Sequence, residues 1–368
     1  MKDDLLIIDT LSHGPLVWND TLVGMSNEMI ESGLSPFRIV QELTLELAKM
    51  LVEDPDYFQQ YTHAWEESGV TCVSWTLGAI HEQPYSLEGA YHNYAYMTHI
   101  LDNRRDFFVK ALRAFDIERA HNGGKRAIIF NFQNLEHIGT NLDLLDRFYQ
   151  MGFRIMQLTY NSRNPIGCGC TEEVDTGLTE FGVSVVERLN QLGVLVDVSH
   201  CGPKTSMDAA LHSKVPIACT HTFAKGLYDH DRGKDDELLE TVAERGGYIG
   251  ILAVPGFLTE KSTATIDDML DHLHYVANLV GLEHVGLGTD FFGYSLPENL
   301  AAKIDELVGM LGFRPEHRAG FTQKIEGFED YTGFPHIIAA LERRGYSEGE
   351  IEKLAGRNFL EVFREVVG

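Results

Sequence analysis

The chain has 368 residues, of which 44% are hydrophobic, and a formal net charge of −25 at pH 7. This acidic balance opposes binding to nucleic-acid phosphates and to anionic membrane surfaces, because like charges repel. No apolar run approaches the roughly 18 residues of a membrane-spanning helix, so we expect a soluble globular protein. The N-terminus enters an apolar run without a signal segment, which predicts a cytoplasmic location. Five cysteines, an odd number in a long chain, predict no disulfide framework.

Eight apolar, β-branched segments of strand length recur along the chain, and most intervals between them carry an amphipathic helical pattern. Strand and helix alternating in this way predict an α/β fold, a closed (β/α)8 or TIM barrel, rather than an open doubly wound sheet. No Gly-x-Gly-x-x-Gly follows the first strand, which argues against a dinucleotide-binding domain. The predicted strands cover residues 5–10, 70–77, 126–134, 153–161, 193–200, 215–222, 247–254 and 284–291.

Two intervals are too long for a simple connection between strands. Residues 14–69 and 78–125 are predicted to be helical insertions after the first and second strands, on the rim where barrel enzymes keep their catalytic residues. They could act as lids over a pocket, or only pad the barrel or form a dimer contact. We expect residues 295–330 to be rich in loops and residues 335–368 to form closing helices. Residues 1–368 are predicted to form one domain.

Two of the predicted strands end on a histidine, His200 and His221. A helix-like segment lies between them, so the two strands are expected to be parallel neighbours with both histidines at their carboxyl ends. Two imidazoles on one rim can share a metal ion, and metal ligands collect at this face of barrel enzymes. The alternative is that each is a hydrogen-bonded histidine at a strand end.

Other strand ends and loops carry further polar residues. Asp290 follows a Gly-x-Gly-Thr turn, where a carboxylate can bind a metal or act as a general base; a helix N-cap is the alternative. Arg232 could hold a substrate carboxylate through two parallel hydrogen bonds, although arginines in charged loops are more often solvated or ion-paired. Cys168 and Cys170 form one Cys-x-Cys without a second pair, so we expect ordinary thiols. The remaining candidates at strand ends are His13, Gln133, Asn134, Tyr160 and Asn161.

These motifs, in this order, resemble the membrane (renal) dipeptidase family, peptidase family M19, of the amidohydrolase-type metallo-barrels. The resemblance implies that His200 and His221 bind one metal, that Asp290 serves a second metal and is the general base, and that Arg232 holds the carboxylate of a dipeptide. It also implies a homodimer. The matching segments are 5–9, 143–161, 177–182, 195–200, 220–225, 230–239, 245–250, 285–290 and 356–359.

Four positions depart from the family's pattern. Leu11 and His13 stand where the family has a histidine and an aspartate for the second metal. Gln133 replaces the glutamate that bridges the two metals, and Tyr160 replaces the histidine that stabilises the tetrahedral intermediate. Two divalent ions about 3.5 Å apart need an anionic bridge to offset their repulsion. We therefore predict one divalent ion, most simply zinc, rather than two.

The predicted metal site contains His200 and His221, with His13 as a possible third ligand and Gln133 or Asp290 completing the set. One ion can still activate water and polarise a carbonyl, so the loss of a second ion is compatible with hydrolysis.

The predicted activity is hydrolysis of a dipeptide or a similar small amide that carries a carboxylate. Asp290 would activate water, Tyr160 would donate to the developing oxyanion, and Arg232 would bind the substrate carboxylate. Asn134 and Asn161 are further candidates for substrate binding on the same rim. Two alternatives remain: the same barrel could run a lyase reaction or open a cyclic imide or lactone, or it could be a metal-free binding protein or pseudoenzyme.

Overall fold

The computed structural model describes residues 5–78, 85–291 and 296–368. Eight parallel strands follow one another around a barrel, with helices between them. The strands of the described residues are β1 (Ile8–Asp9), β2 (Cys72–Thr76), β3 (Phe108–Lys110), β4 (Arg126–Phe132), β5 (Phe153–Gln157), β6 (Leu195–Asp197), β7 (Ala218–Thr222), β8 (Tyr248–Ile251), β9 (Ala264–Thr265), β10 (Val285–Leu287) and β11 (Ile325–Glu326). The order in the sheet is β1-β2-β4-β5-β6-β7-β8-β10.

Strands β1 and β10 close the barrel. The backbone N–H of Thr10 donates to the carbonyl of Leu287 at 3.1 Å, and the N–H of Asp290 donates to the carbonyl of Leu11 at 2.9 Å. These bonds join the two ends of the sheet. The predicted (β/α)8 barrel is confirmed.

The helices surround the barrel and end where the sequence provides helix-stopping residues. Gly152 and Gly193, for example, have φ angles of 106° and 70° at the ends of two helices, a backbone conformation that glycine adopts without steric cost. No helix among the described residues is long and apolar enough to cross a membrane. The α-helices are α1 (Asp20–Glu31), α2 (Pro36–Glu53), α3 (Pro55–Ser68), α4 (Leu87–Asn103), α5 (Ala114–Asn122), α6 (Asp143–Met151), α7 (Glu180–Leu192), α8 (Pro203–His212), α9 (Asp236–Glu244), α10 (Pro255–Leu258), α11 (Ile266–Val280), α12 (Glu298–Met310), α13 (Phe334–Arg343), α14 (Glu348–Glu352) and α15 (Asn358–Val367).

The helical insertions predicted after the first two strands are confirmed. Helices α1, α2 and α3 form the first, and α4 and α5 lie in the second. Residues 79–84 of the second insertion are outside the described residues. The sequence analysis missed β3, which pairs with the first half of β4 from Phe108–Arg126 to Lys110–Ile128. Three residues are too few to produce a recognisable strand pattern.

The prediction of a loop-rich segment at 295–330 was wrong for its first half; residue 295 itself is outside the described residues. Helix α12 occupies residues 298–310, with Leu300, Ile304 and Leu307 buried at helical spacing. The C-terminal segment contains α13 and then α14, which continues through a wider π turn into α15. Phe359 of α15 packs edge-on against Tyr248 at the start of β8, with ring centroids 5.2 Å apart, so α15 covers the amino ends of the strands.

Candidate metal centre and active site

Three potential metal ligands converge at the carboxyl ends of β6, β7 and β10. His200, His221 and Asp290 each offer one ligand atom, and these atoms lie within 4.8 Å of one another. Both histidines are buried, and Asp290 is partly buried on the wall of a cavity. Among the described residues, these three side chains are the histidine, cysteine or acidic groups whose ligand atoms lie close enough together to bind one metal ion.

The contacts of His200 leave one ring nitrogen free for a metal. Its Nδ1 lies 2.8 Å from the side-chain oxygen of Asn161, whose nitrogen donates to the carbonyl of Leu311 at 2.8 Å. Because the amide nitrogen is engaged there, the oxygen faces the ring and Nδ1 carries the proton. Nε2 is then a buried acceptor, and it has no hydrogen-bond partner among the described residues. A buried nitrogen of this kind is typical of a site that holds an ion.

His221 is oriented by a chain of buried hydrogen bonds. The hydroxyl of Thr220 donates to the carboxylate of Asp197 at 2.5 Å and therefore accepts from Nδ1 of His221 at 2.8 Å. This leaves Nε2 of His221 without a proton, and the side-chain nitrogen of Gln133 lies 3.3 Å from it. A carboxylate behind a histidine is the usual way in which proteins fix the tautomer of a metal ligand.

Burial and nearby charges shift the pKa values of the three candidate ligands. Burial, with the positive charge of Arg232, lowers the pKa of His200 and of His221 well below the usual value, so both rings are neutral at pH 7. Burial raises the pKa of Asp290 to about 7, and Arg232 opposes this rise. A divalent cation would favour the ionised carboxylate. Asp290 has a φ angle of 53°, a strained conformation for a non-glycine residue.

Arg232 joins the two strand ends that carry the histidines. Its guanidinium donates to the carbonyl of Ser199 and to the carbonyl of His221, the latter at 2.7 Å. The side chain is completely buried, and its Nε has no partner among the described residues. Arg232 therefore fixes the spacing of the rim; it is not among the described residues that line the cavity, so its contact with a substrate stays a prediction.

Tyr160 and Gln133 line the cavity beside the histidines. The ring of Tyr160 stacks on His200 with centroids 3.9 Å apart and planes 19° apart. Burial raises the pKa of the Tyr160 hydroxyl above its usual range, so the hydroxyl stays protonated and can donate a hydrogen bond. Both residues are therefore within the site that the sequence predicted.

The other predicted site residues lie around the three ligands rather than among them. His13 lines the cavity, edge-on to Trp75 at 5.7 Å, and does not belong to the group of three ligands. Burial lowers the pKa of His13 to about 4. The side-chain oxygen of Asn134 accepts from the side chain of Asn164 at 2.9 Å and from the N–H of Glu136 at 3.0 Å, so it shapes the turn after β4.

Asn161, predicted to bind substrate, uses its amide to hold His200 and a backbone carbonyl. Asp197 and Thr220, which the sequence analysis did not single out, orient His221. Asp197 lies three residues before His200 but orients His221 on the neighbouring strand, so no local spacing in the sequence indicated this role. The five cysteines are buried free thiols, and none belongs to the group of ligands among the described residues.

The sequence pattern of one known family extends over most of the chain. The model of the family described as membrane dipeptidase (peptidase family M19) matches residues 66–312 and 312–367. The chain belongs to the membrane dipeptidase family. Dipeptidase tcpJ of Claviceps purpurea is 29% identical over 285 residues, which are 76% of this chain and 60% of that protein. An uncharacterized dipeptidase of Schizosaccharomyces pombe is 30% identical over 251 residues, 66% of this chain and 54% of that protein. The chain thus spans less than two thirds of the length of these relatives.

Solved structures of an amidohydrolase and of a metallo peptidase share the fold. An amidohydrolase from Pseudomonas aeruginosa aligns with a TM-score of 0.77 and 26% identity, covering 100% of this chain and 98% of that chain. A metallo peptidase from Rhodobacter sphaeroides, solved with a phosphinate mimic of the dipeptide L-Ala-D-Ala, aligns with a TM-score of 0.73 and 19% identity, covering 99% of each chain. The second likeness supports the barrel fold alone.

Two positions at the candidate metal site differ from the pattern that the family resemblance implies. Leu11 occupies the position at which the family resemblance implies a histidine ligand. It is only 2% exposed and carries no atom that can bind a metal. Gln133, where the resemblance gives a bridging glutamate, is a neutral amide in contact with His221. Neither position supplies the negative charge that two adjacent divalent ions require.

Proposed function

We propose that this chain is a metal-dependent hydrolase that cleaves a dipeptide or a similar small amide carrying a carboxylate. The single observation that carries the proposal is the group formed by His200, His221 and Asp290, in which both imidazoles are buried, neutral and protonated on Nδ1. Two imidazoles and a carboxylate with one further position open are the ligand set of catalytic zinc sites. Membership of the membrane dipeptidase family supports amide hydrolysis as the reaction.

We propose one divalent ion per chain, most simply zinc. This number is supported by the chemistry of Leu11 and Gln133, because an alkyl group cannot bind a metal and a neutral amide does not offset the repulsion between two ions. His13 lies outside the group of three ligands, which also favours a single site.

Three residues of the chain have separate roles in the proposed hydrolysis. A bound divalent ion lowers the pKa of water and polarises the scissile carbonyl. Asp290 accepts the proton of the attacking water, and the hydroxyl of Tyr160, which stays protonated, donates to the oxygen on which negative charge develops. Arg232 provides the positive charge for the carboxylate of the substrate, while its bonds to two strand-end carbonyls hold the histidines in place.

The test is an assay of the zinc-loaded protein against a panel of dipeptides and N-acylated amino acids, with release of the free amino acid as the readout. Asp290→Asn should lower kcat/KM by about 10²–10⁴, the usual contribution of a general base. Asp229→Asn is the matched control, because Asp229 is an exposed loop carboxylate whose side chain is 91% accessible. Unchanged turnover in Asp290→Asn, or a product formed without incorporation of oxygen from labelled water, would contradict hydrolysis at this site.

A further inference from the structure

The cavity that opens from the candidate metal centre has a polar end and a largely apolar wall. The volume open to the centre of a water molecule is about 320 Å³, many times the ~10–15 Å³ that one water needs. The metal-centre end carries His200, Asp290, Gln133 and Tyr160. The other charged side chains on the described wall, Lys324 and Glu329, are exposed to solvent.

The apolar wall is built by elements added to the barrel. On α12, Ile304, Leu307 and Val308 line the cavity from one face of the helix, and Leu311, directly after its last residue, lines the cavity as well. Met310 lies on another face of the same helix and is 58% exposed. Helix α12 therefore presents an aliphatic surface to the cavity.

The first two insertions complete this wall. Val40, Thr44 and Leu47 of α2 line the cavity at helical spacing, and Ile100 of α4 joins them. These helices belong to the segments inserted after β1 and β2, on the same rim as the metal centre. Aromatic side chains also line the cavity: Phe257 from α10, and Phe291 and Phe313 from loops.

From this lining we infer the class of substrate, an inference that rests on the proposed hydrolase function. We propose that the substrate carries a bulky aliphatic group next to the scissile amide, and that α2, α4 and α12 form the subsite for that group. When an aliphatic group moves from water to this wall, the binding constant increases roughly fourfold for each methylene that is buried. A small polar dipeptide would leave most of the wall in contact with water.

Two chemical sources provide such a group: a linear acyl chain on the nitrogen of an amino acid, or the side chain of an apolar residue in a dipeptide. The reaction is the same in both cases. Water adds across the amide, the C–N bond breaks, the hydroxyl group joins the acyl carbon and the proton joins the amine nitrogen. The products are an apolar carboxylic acid, or an apolar amino acid, and a free amino acid.

The experiment measures kcat/KM of the zinc-loaded protein for amino acids acylated with unbranched chains of two to ten carbons, and for glycyl-glycine beside leucyl-leucine. We expect kcat/KM to rise at least tenfold from the shortest to the longest favoured substrate. A rise along the acyl series identifies the acyl source, and a rise only among the dipeptides identifies the side-chain source. A flat response in both series would overturn the inference while leaving the hydrolase proposal intact.

Two cavity-filling variants locate the subsite. Val308→Trp on α12 and Thr44→Phe on α2 should abolish the gain in kcat/KM that bulky groups give. Met310→Trp, the same large ring on an exposed face of α12, should leave the preference unchanged. An equal response of Val308→Trp and Met310→Trp would contradict the assignment, and thermal unfolding identifies a variant that fails to fold.

A binding measurement separates the two proposals. Calorimetric titration of the metal-free protein with acetate, hexanoate and decanoate needs no turnover. If no amide is hydrolysed, the hydrolase proposal fails, whereas tighter binding of the longer carboxylates in wild type, lost in Val308→Trp, would still support the aliphatic subsite. Binding that does not depend on chain length would overturn the subsite whatever the enzyme assay gives.

Discussion

The side-chain nitrogen of Gln133 lies 3.3 Å from Nε2 of His221, the ring nitrogen that Thr220 leaves without a proton. An amide N–H of Gln133 can donate a hydrogen bond to that nitrogen. The bond uses the same lone pair that would bind a metal ion. The position that the family resemblance assigns to a bridging carboxylate therefore carries a neutral donor. Gln133 therefore adds no negative charge to the site for which we propose one ion.

Replacing Gln133 by glutamate should strengthen metal binding. A carboxylate adds a negative charge beside the ion, and we expect the dissociation constant for zinc to fall by roughly tenfold or more. The measurement is competition with a chromophoric chelator at fixed pH. Gln41→Glu is the matched control, because Gln41 lines the same cavity from α2 and should alter zinc affinity much less. Weaker zinc binding in Gln133→Glu would mean that the neutral amide is itself a required ligand.

Asn161 should act on the metal through His200. Asn161→Leu removes the acceptor 2.8 Å from Nδ1 of His200, and loss of such a supporting contact typically costs about 10–100-fold in metal affinity. Ser162→Ala, at the exposed neighbouring position, should bind zinc like the wild type. Unchanged zinc affinity in Asn161→Leu would show that His200 keeps its orientation without this contact.

Asp9 should stabilise the seam between the first and last barrel strands. Its buried carboxylate accepts from the N–H and the hydroxyl of Thr289 at 2.7 and 2.6 Å, and from the hydroxyl of Tyr331 at 3.1 Å. Hydrogen bonds to charged groups contribute about 1.5–3 kcal/mol each, so Asp9→Ala should lower the free energy of unfolding by about 3 kcal/mol or more. Urea unfolding measures it.

Tyr331→Phe removes only one of the three hydrogen bonds to Asp9, so it serves as a milder variant for comparison. It should lower the free energy of unfolding by about 1 kcal/mol. A smaller loss in Asp9→Ala than in Tyr331→Phe would mean that burial of the carboxylate outweighs its hydrogen bonds.

Much of the barrel was predictable because its strands are long apolar runs separated by amphipathic helices. Each of the eight barrel strands, from Ile8–Asp9 to Val285–Leu287, lies within a predicted strand and is shorter than that prediction. Helix α12 was overlooked although Leu300, Ile304 and Leu307 have helical spacing. Strand β3 was not predictable, because its pairing depends on a neighbour that only the folded chain brings close.

The grouping of His200, His221 and Asp290 was predictable from the sequence, whereas the contacts that support these side chains were not. His200, His221 and Asp290 follow from their positions after strands and from the family resemblance. The bonds of Arg232 to two backbone carbonyls depend on the curvature of the rim, which no local pattern encodes. Asn161 was predicted to bind substrate, yet its amide holds His200 because the loop containing Leu311 occupies its other side.

We propose that His200, His221 and Asp290 hold one divalent ion, and elemental analysis of the metal content per chain measures this number. Protein offered zinc at neutral pH and then dialysed should retain about one ion per chain. His200→Ala and His221→Ala should retain none, whereas His274→Ala, at an exposed position, should match the wild type. Two ions per chain, none in the wild type, or one ion that survives in His200→Ala would contradict the account.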